Sequence, residues 1–215
     1  RHYRRQRQMC IRDRYNTAVG SVALTSNTDG NNNVAIGYQA LDSNVSGSDS
    51  VAVGKGALQA FTGSSSVGGS VGVGRDSLYS LTTGESHVAI GENAGYSITT
   101  GNNTVAVGKL ALYANTGNDN TALGHQTLQA NTTGTSNVAV GRDALNDNTT
   151  SSYNVAVGAY ALAKNTTGTN NTALGYSALY DNTTTSYNTA LGYEALGNNL
   201  ADYNTAVGRQ SMVSN

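Results

Sequence analysis

Asn137-Val138-Ala139-Val140-Gly141-Arg142-Asp143-Ala144-Leu145-Asn146-Asp147-Asn148-Thr149-Thr150-Ser151-Ser152-Tyr153 is one copy of a unit that recurs along the chain, and its recurrence decides the fold. With Asn137 as position 1 and Tyr153 as position 17, the glycine of position 5 returns at 20, 37, 54, 74, 91, 108, 124, 141, 158, 175, 192 and 208. The spacing is 17 residues except for two gaps of 16 and one of 20, between Gly54 and Gly74. A fixed period marks a repeat architecture in which each unit buries itself against its neighbours. Helix is excluded, because a unit with repeated Gly and an Asn-Thr-Thr turn carries no 3.6-residue apolar stripe.

Within the short N-x-A-V-G strand, positions 2 and 4 share one face and positions 3 and 5 the other. Position 4 is aliphatic in every copy, which makes Val19, Ile36, Val53, Val73, Ile90, Val107, Leu123, Val140, Val157, Leu174, Leu191 and Val207 the expected structural core. The opposite face holds only Ala and Gly: Ala18, Ala35, Ala52, Ala89, Ala106, Ala122, Ala139, Ala156, Ala173, Ala190 and Ala206, with Gly72 in the remaining copy. Small side chains let another backbone come close, so this face is the candidate self-association surface. The competing reading is that Ala fits a narrow coil interior. Positions 2, 4 and 9 offer about three large apolar side chains per coil, roughly 1.5–3 kcal/mol each when buried. That is a thin core against the entropy of ordering a whole coil, and it favours an oligomer.

Position 12 is the most informative polar column. It is Asn at 27, 44, 115, 131, 148, 165, 182, 199 and 215, and is replaced by Phe61, Leu81 and Ile98 in three consecutive copies. Exchange of Asn for apolar residues in adjacent copies implies an inward column, a ladder over Asn27, Asn44, Asn115, Asn131, Asn148, Asn165, Asn182 and Asn199. Buried carboxamides need partners, and stacked Asn residues supply them to one another. Position 1 has a matching block in which Ser50, Ser70, His87 and Thr104 replace Asn, although Asn as a simple turn marker fits position 1 equally well. The expected fold is therefore all-β, a parallel β-solenoid of about twelve coils, each with two short strands. At ~4.8 Å between stacked strands it forms a rod on the order of 55 Å long.

The repeat domain spans 15–215, with a variant block at about 45–105 and a three-residue insertion near 61–69. Residues 1–14 (RHYRRQRQMCIRDR) share no register with it and carry a net charge of +5, against −6 for the remainder. This stretch resembles translated read-through of a sequencing adapter and is set aside as non-native, rather than read as a nucleic-acid arm. It contains the only cysteine, Cys10, so no disulfide framework is expected. No segment approaches the ~18 consecutive apolar residues of a membrane helix, and the acidic remainder argues against nucleic acid.

Catalytic chemistry needs converging groups, and few are present. His2, His87 and His125 fall at unrelated positions, no phosphate-binding or nucleophile motif occurs, and the acids are scattered. The expectation is a non-enzyme with no cofactor and no metal. Tyrosine is the exception, at thirteen copies against one Phe. Tyr153, Tyr187 and Tyr203 share position 17; Tyr38, Tyr176 and Tyr193 share position 6; Tyr79, Tyr96, Tyr113 and Tyr180 share position 10. An apolar ring with a polar tip suits recognition, including that of sugars, though stacked external ladders would use the same residues. Candidate binding residues are Tyr153, Tyr187 and Tyr203, with Phe61, Ser64 and Ser65 at the insertion, since insertions in solenoids often form a binding face.

N-V-A-I-G at 33–37 and N-V-A-V-G at 137–141 and 154–158 resemble the head repeats of trimeric autotransporter adhesins, the YadA-like head. N-T-A-L-G-Y-x-A-L-x-x-N-T-T at 171–184 is similar to repeats of bacteriophage tail fibres. The likeness covers residues 15–215. It implies a left-handed β-roll, a homotrimer, an extracellular place on a bacterial surface or virion tail fibre, no membrane insertion by this segment, and adhesion to a host receptor of glycan or protein nature. The unit is longer than the adhesin head's, about 17 residues against about 14, so each coil should be wider. Two other functions use such coils. An ice-binding solenoid needs a flat Thr array, which position 2 supplies in only five copies; a polysaccharide-active β-helix enzyme needs a cleft with paired carboxylates.

Overall fold

The computed structural model describes residues 15–63 and 69–214. The segment 1–14, Asn215 and the insertion residues Ser64 and Ser65 lie outside the described residues. Twelve three-residue strands follow one another: β1 (Thr17–Val19), β2 (Val34–Ile36), β3 (Val51–Val53), β4 (Val71–Val73), β5 (Val88–Ile90), β6 (Val105–Val107), β7 (Thr121–Leu123), β8 (Val138–Val140), β9 (Val155–Val157), β10 (Thr172–Leu174), β11 (Thr189–Leu191) and β12 (Thr205–Val207). They form one parallel sheet in sequence order, a β-solenoid whose coils are numbered after their strands. Position 2 pairs with position 2, 3 with 3 and 4 with 4 throughout, as in Thr172↔Thr189, Ala173↔Ala190 and Leu174↔Leu191.

Each described coil carries one strand, where two were expected. The stretch after the position-5 glycine is a run of turns, because positions 7 and 9 adopt left-handed backbone, as at Asp143 (φ 57°) and Leu145 (φ 50°). These turns still stack: Leu145 N–H donates to Ala161 O of the next coil at 3.0 Å. A left-handed backbone is costly for most residues, so tertiary stacking holds Leu there. Gly95, the one glycine at position 9, has φ 61°.

The position-5 glycine is required on two counts. Gly158 has φ +135°, and a Cβ there would fall well inside contact distance of the Gly175 carbonyl in the next coil. The same collision recurs at each position-5 glycine from Gly20 to Gly192.

The core corrects the sequence expectation about which strand face is inside. Position-3 alanines face inward, and Ala35, Ala52, Ala89, Ala106, Ala122, Ala139, Ala156, Ala173 and Ala190 are completely buried, with Ala18 and Ala206 nearly so. They cannot form a self-association surface. The aliphatic column points outward instead. Val19, Ile36, Ile90, Leu123, Leu174, Leu191 and Val207 are exposed, while Val53, Val73, Val107, Val140 and Val157 are half-buried. The reason is room. Opposite the strand stand position 8, mostly Ala, and the buried leucines of position 9, and little space remains between. At Gly72 a Cβ would already lie 3.0 Å from Ser77 Oγ and 3.4 Å from Leu58 Cδ1. Alanine fits that gap; valine does not.

Position 12 stacks inward as a carboxamide ladder. Asn44 Nδ2 donates to Asn27 Oδ1 (3.0 Å), and Asn131, Asn148, Asn165, Asn182 and Asn199 each donate to the Asn of the preceding coil, beginning at Asn115. Each Nδ2 also donates across the turn to a nearby main-chain carbonyl, as Asn165 does to Gly168 O at 2.9 Å. Position 1 is a second inward network. Asn137 Nδ2 donates to Ser151 O (2.9 Å), and its Oδ1 accepts from Asn154 N–H of the next coil (3.0 Å). The 16-residue coils lose one residue in the turn after position 12, where Asn115 and Asn199 reach a carbonyl two residues on instead of three.

Two outcomes follow. Gly158→Ala should cost at least about 2 kcal/mol, since it combines a left-handed backbone with a clash against main chain that cannot move aside; thermal or urea unfolding checks this. Asn165→Leu should cost about 1–3 kcal/mol, because Asn182 Nδ2 loses an acceptor in a buried site. Leu already occupies this column at position 81, so a neutral Asn165→Leu would show that the ladder contributes nothing.

Candidate binding surfaces

The outward sheet face is built from positions 2 and 4 of every coil, Val or Thr beside Val, Ile or Leu. Alternation along a strand sends these two columns outward once Ala at position 3 points in. The aliphatic column is substantially open to solvent, for example Leu174 at 44%, Leu123 at 45% and Val207 at 66%. The result is a continuous apolar strip running the length of the rod.

Position 6 flanks this strip and changes character along the rod. In coils four to six it reads Arg75, Glu92, Lys109, a stacked set of alternating charge. Glu92 pairs with Arg75 and with Lys109 (3.4 Å). The Arg75 guanidinium first, and the Lys109 ammonium second, hold its carboxyl below the ordinary range. Being exposed, these pairs contribute little to stability. In coils ten and eleven the same column presents Tyr176 and Tyr193, stacked at 5.3 Å between ring centroids.

Tyrosines stack wherever they repeat in adjacent coils. Tyr79, Tyr96 and Tyr113 form a three-ring ladder at 5.1 and 5.2 Å. Tyr187 and Tyr203 are parallel at 5.0 Å. Of the candidate binding residues, Tyr153, Tyr187 and Tyr203 are exposed, at 62%, 52% and 76%. Only Tyr187 and Tyr203 come together, since Asn170 holds the same column between them and Tyr153. Phe61 is a correction: it is fully buried, in the inward position-12 column, and cannot contact a ligand from the surface. Its neighbours in the variant block, Leu81, Ile98, Ser50, Ser70, His87 and Thr104, are buried as well. Among the described residues, the replacements at positions 1 and 12 of the variant block are therefore a change of core.

His87 shows how that change is accommodated. It occupies position 1, and its Nε2 lies 2.6 Å from Gly101 O, the interaction that Asn makes elsewhere in this column. Its Nδ1 has no hydrogen-bond partner, the one such buried side-chain N or O among the described residues. Burial lowers its pKa from the ordinary 6.5, and the bond to the Gly101 carbonyl offsets only part of that effect. No three His, Cys, Asp or Glu side chains converge into a metal-binding group among the described residues. Nor do these residues contain a helix long and apolar enough to cross a membrane.

No family model, curated protein or solved structure matches the chain.

The buried histidine sets a pH dependence. Its folded pKa lies below the unfolded value, so the unfolded chain binds the extra proton first. The stability contribution is complete above about pH 6.5 and is lost as pH falls from there toward the folded pKa. His87→Asn should remove this loss, flattening the melting temperature between about pH 6.5 and 5 relative to the parent; an unchanged pH profile would contradict the assignment.

Proposed function

We propose that this chain is a shaft or head segment of an extracellular fibre, a structural and adhesive rod that attaches a bacterial surface or a virion to a host cell without catalysing a reaction. The observation that carries the reading is the outward apolar strip of positions 2 and 4. Monomeric proteins rarely expose contiguous apolar patches beyond a few hundred Å², and a strip extending over twelve coils calls for a partner of equal length. A second and third copy of the same rod meet that requirement side by side. The copy number of three comes from the resemblance to trimeric adhesin heads and tail-fibre repeats. A rod built from stacked identical columns also suits a spacer, because each coil depends only on its neighbours and length can vary without redesign.

Light scattering on the purified chain should give about three times the chain mass of 22.1 kDa. Leu123→Lys combined with Leu174→Lys, both on the outward strip, should reduce that mass to one chain while leaving the β circular dichroism intact. A clean single-chain mass for the parent would sink the trimer. Labelled trimer should bind host cells, and loss of binding in the double variant would place the trimer upstream of adhesion.

A further inference from the structure

We propose that a cleft on coils ten to twelve, opened by Gly197 beside Tyr180, binds a neutral saccharide. The inference names a ligand class for the adhesive rod and rests on that reading only for its biological setting. The cleft is an interrupted aromatic ladder. At position 10, coils four to six carry Tyr79, Tyr96 and Tyr113, each ring stacked on the next at about 5 Å. Coil ten carries Tyr180 in this column, but coil eleven carries Gly197 and coil twelve Val213. The ring that would cover Tyr180 from coil eleven is missing, and a cleft of about 350 Å³ lies there. That volume is at the lower end of the roughly 300–1,000 Å³ of small-molecule sites.

Nothing in the backbone demands this glycine. Gly197 is outside the left-handed region. A Cβ built on it would meet only Glu194 O at 3.4 Å and Val213 Cγ1 at 4.0 Å, ordinary contacts. The contrast is with Gly192 five residues earlier, where φ is +136° and a Cβ would collide with the Gly208 carbonyl. Gly192 is there for the fold. The consequence of Gly197, itself buried, is the cleft beside the half-buried Tyr180 ring.

The surroundings select the ligand. Lys164 lies over the Tyr180 ring at 4.8 Å and pairs with Asp181 at 2.6 Å. On the other side stands the stacked pair Tyr176 and Tyr193, with Arg209 over Tyr193 at 5.6 Å. Tyr193 hydroxyl donates to the Glu194 carboxylate, a bond that first among several effects raises the phenol pKa. Glu194 also accepts from Gln210 Nε2 at 2.8 Å. Lys164 thus pairs with Asp181, while Glu194 accepts from the Tyr193 hydroxyl and Gln210. The cleft itself is lined by these two carboxylates and by tyrosine, with no cation among the described residues of its wall, which disfavours an anion. It offers one electron-rich ring face, which attracts the slightly positive C–H face of a pyranose. Asp181 and Glu194 provide charged acceptors beside it for ring hydroxyls, and such bonds are stronger than neutral ones. An unsubstituted aromatic ligand would cover Tyr180 but make no use of the remaining acceptor capacity of these carboxylates.

Saturation-transfer NMR with the methyl glycosides of glucose, galactose, mannose and N-acetylglucosamine tests the assignment on the full chain. At least one glycoside should show transfer to its ring C–H protons. Gly197→Tyr, which restores the missing ring, should abolish that signal or weaken affinity at least tenfold without lowering the melting temperature. Tyr180→Ala should do the same by removing the platform. Undiminished binding by a folded Gly197→Tyr overturns the site. So does the absence of any glycoside signal, or binding of phenol or tetramethylammonium in its place. Attachment of the parent to host cells with no glycoside signal overturns this inference alone. Failure to attach overturns the adhesive reading, whatever the glycosides show.

Discussion

Coils stack in register because the glycine of position 5 leaves nothing between one main chain and the next. The carbonyl of each such glycine occupies the space a Cβ of the preceding one would need, so inter-coil backbone hydrogen bonds, such as Gly158 N–H to Val140 O at 2.8 Å, set the repeat distance. Identical residues then fall directly above one another. That alignment turns a column of Asn into a carboxamide ladder and a column of Tyr into a stack of rings. It also lets the Thr132, Thr149 and Thr166 hydroxyls each donate to the position-13 carbonyl of the next coil at 2.9–3.2 Å.

The interior tolerates substitution when neighbouring columns adjust together. Where Ser77 replaces Ala at position 8, Gly72 replaces Ala at position 3 of the same coil, and the two would otherwise crowd. Where Ile98 enters the Asn column, Gly95 replaces Leu; a Cβ at Gly95 would lie 3.0 Å from Ile98 Cδ1. Where Ser151 replaces the usual glycine of position 15, its hydroxyl donates to Asn148 Oδ1 and accepts from Asn154 and Asn165. Core composition thus drifts in blocks of consecutive coils. Three replacements in consecutive coils break the Asn-to-Asn contacts only at the two ends of the block, where three scattered ones would break them three times over, and Asn115, the first Asn after the block, keeps its bond to Gly117 O.

The outside has two sides of different character. The strand side carries an unbroken aliphatic column at position 4, flanked by Val or Thr at position 2, along the whole rod. The turn side varies from coil to coil: alternating charges and stacked rings in coils four to six, and an incomplete ring ladder beside two carboxylates in coils ten to twelve. Variation there costs little because the residues at positions 6, 10 and 17 are exposed or half-buried in nearly every coil, Ala163 and Gly197 at position 10 being buried.

The period, the all-β class, the parallel stacking of like positions and the inward Asn column were legible in the residues, because a buried polar column and a glycine of fixed spacing have few alternative explanations. The sidedness of the strand was not. Both faces of N-x-A-V-G are free of charge, and hydrophobicity alone ranks Val140 above Ala139 for the interior. The closed coil reverses that order, because the inward face meets a turn layer already filled by Ala144 and Leu145, and only Ala139 fits against it. Width decided the matter, and width is a property of the closed coil. Likewise the tyrosine columns were legible as either stacked ladders or a recognition surface, without saying which rings would stack and which would not. That depended on Gly197 stacking beneath Tyr180, a neighbour seventeen residues away in sequence and adjacent only once the coils are laid on one another.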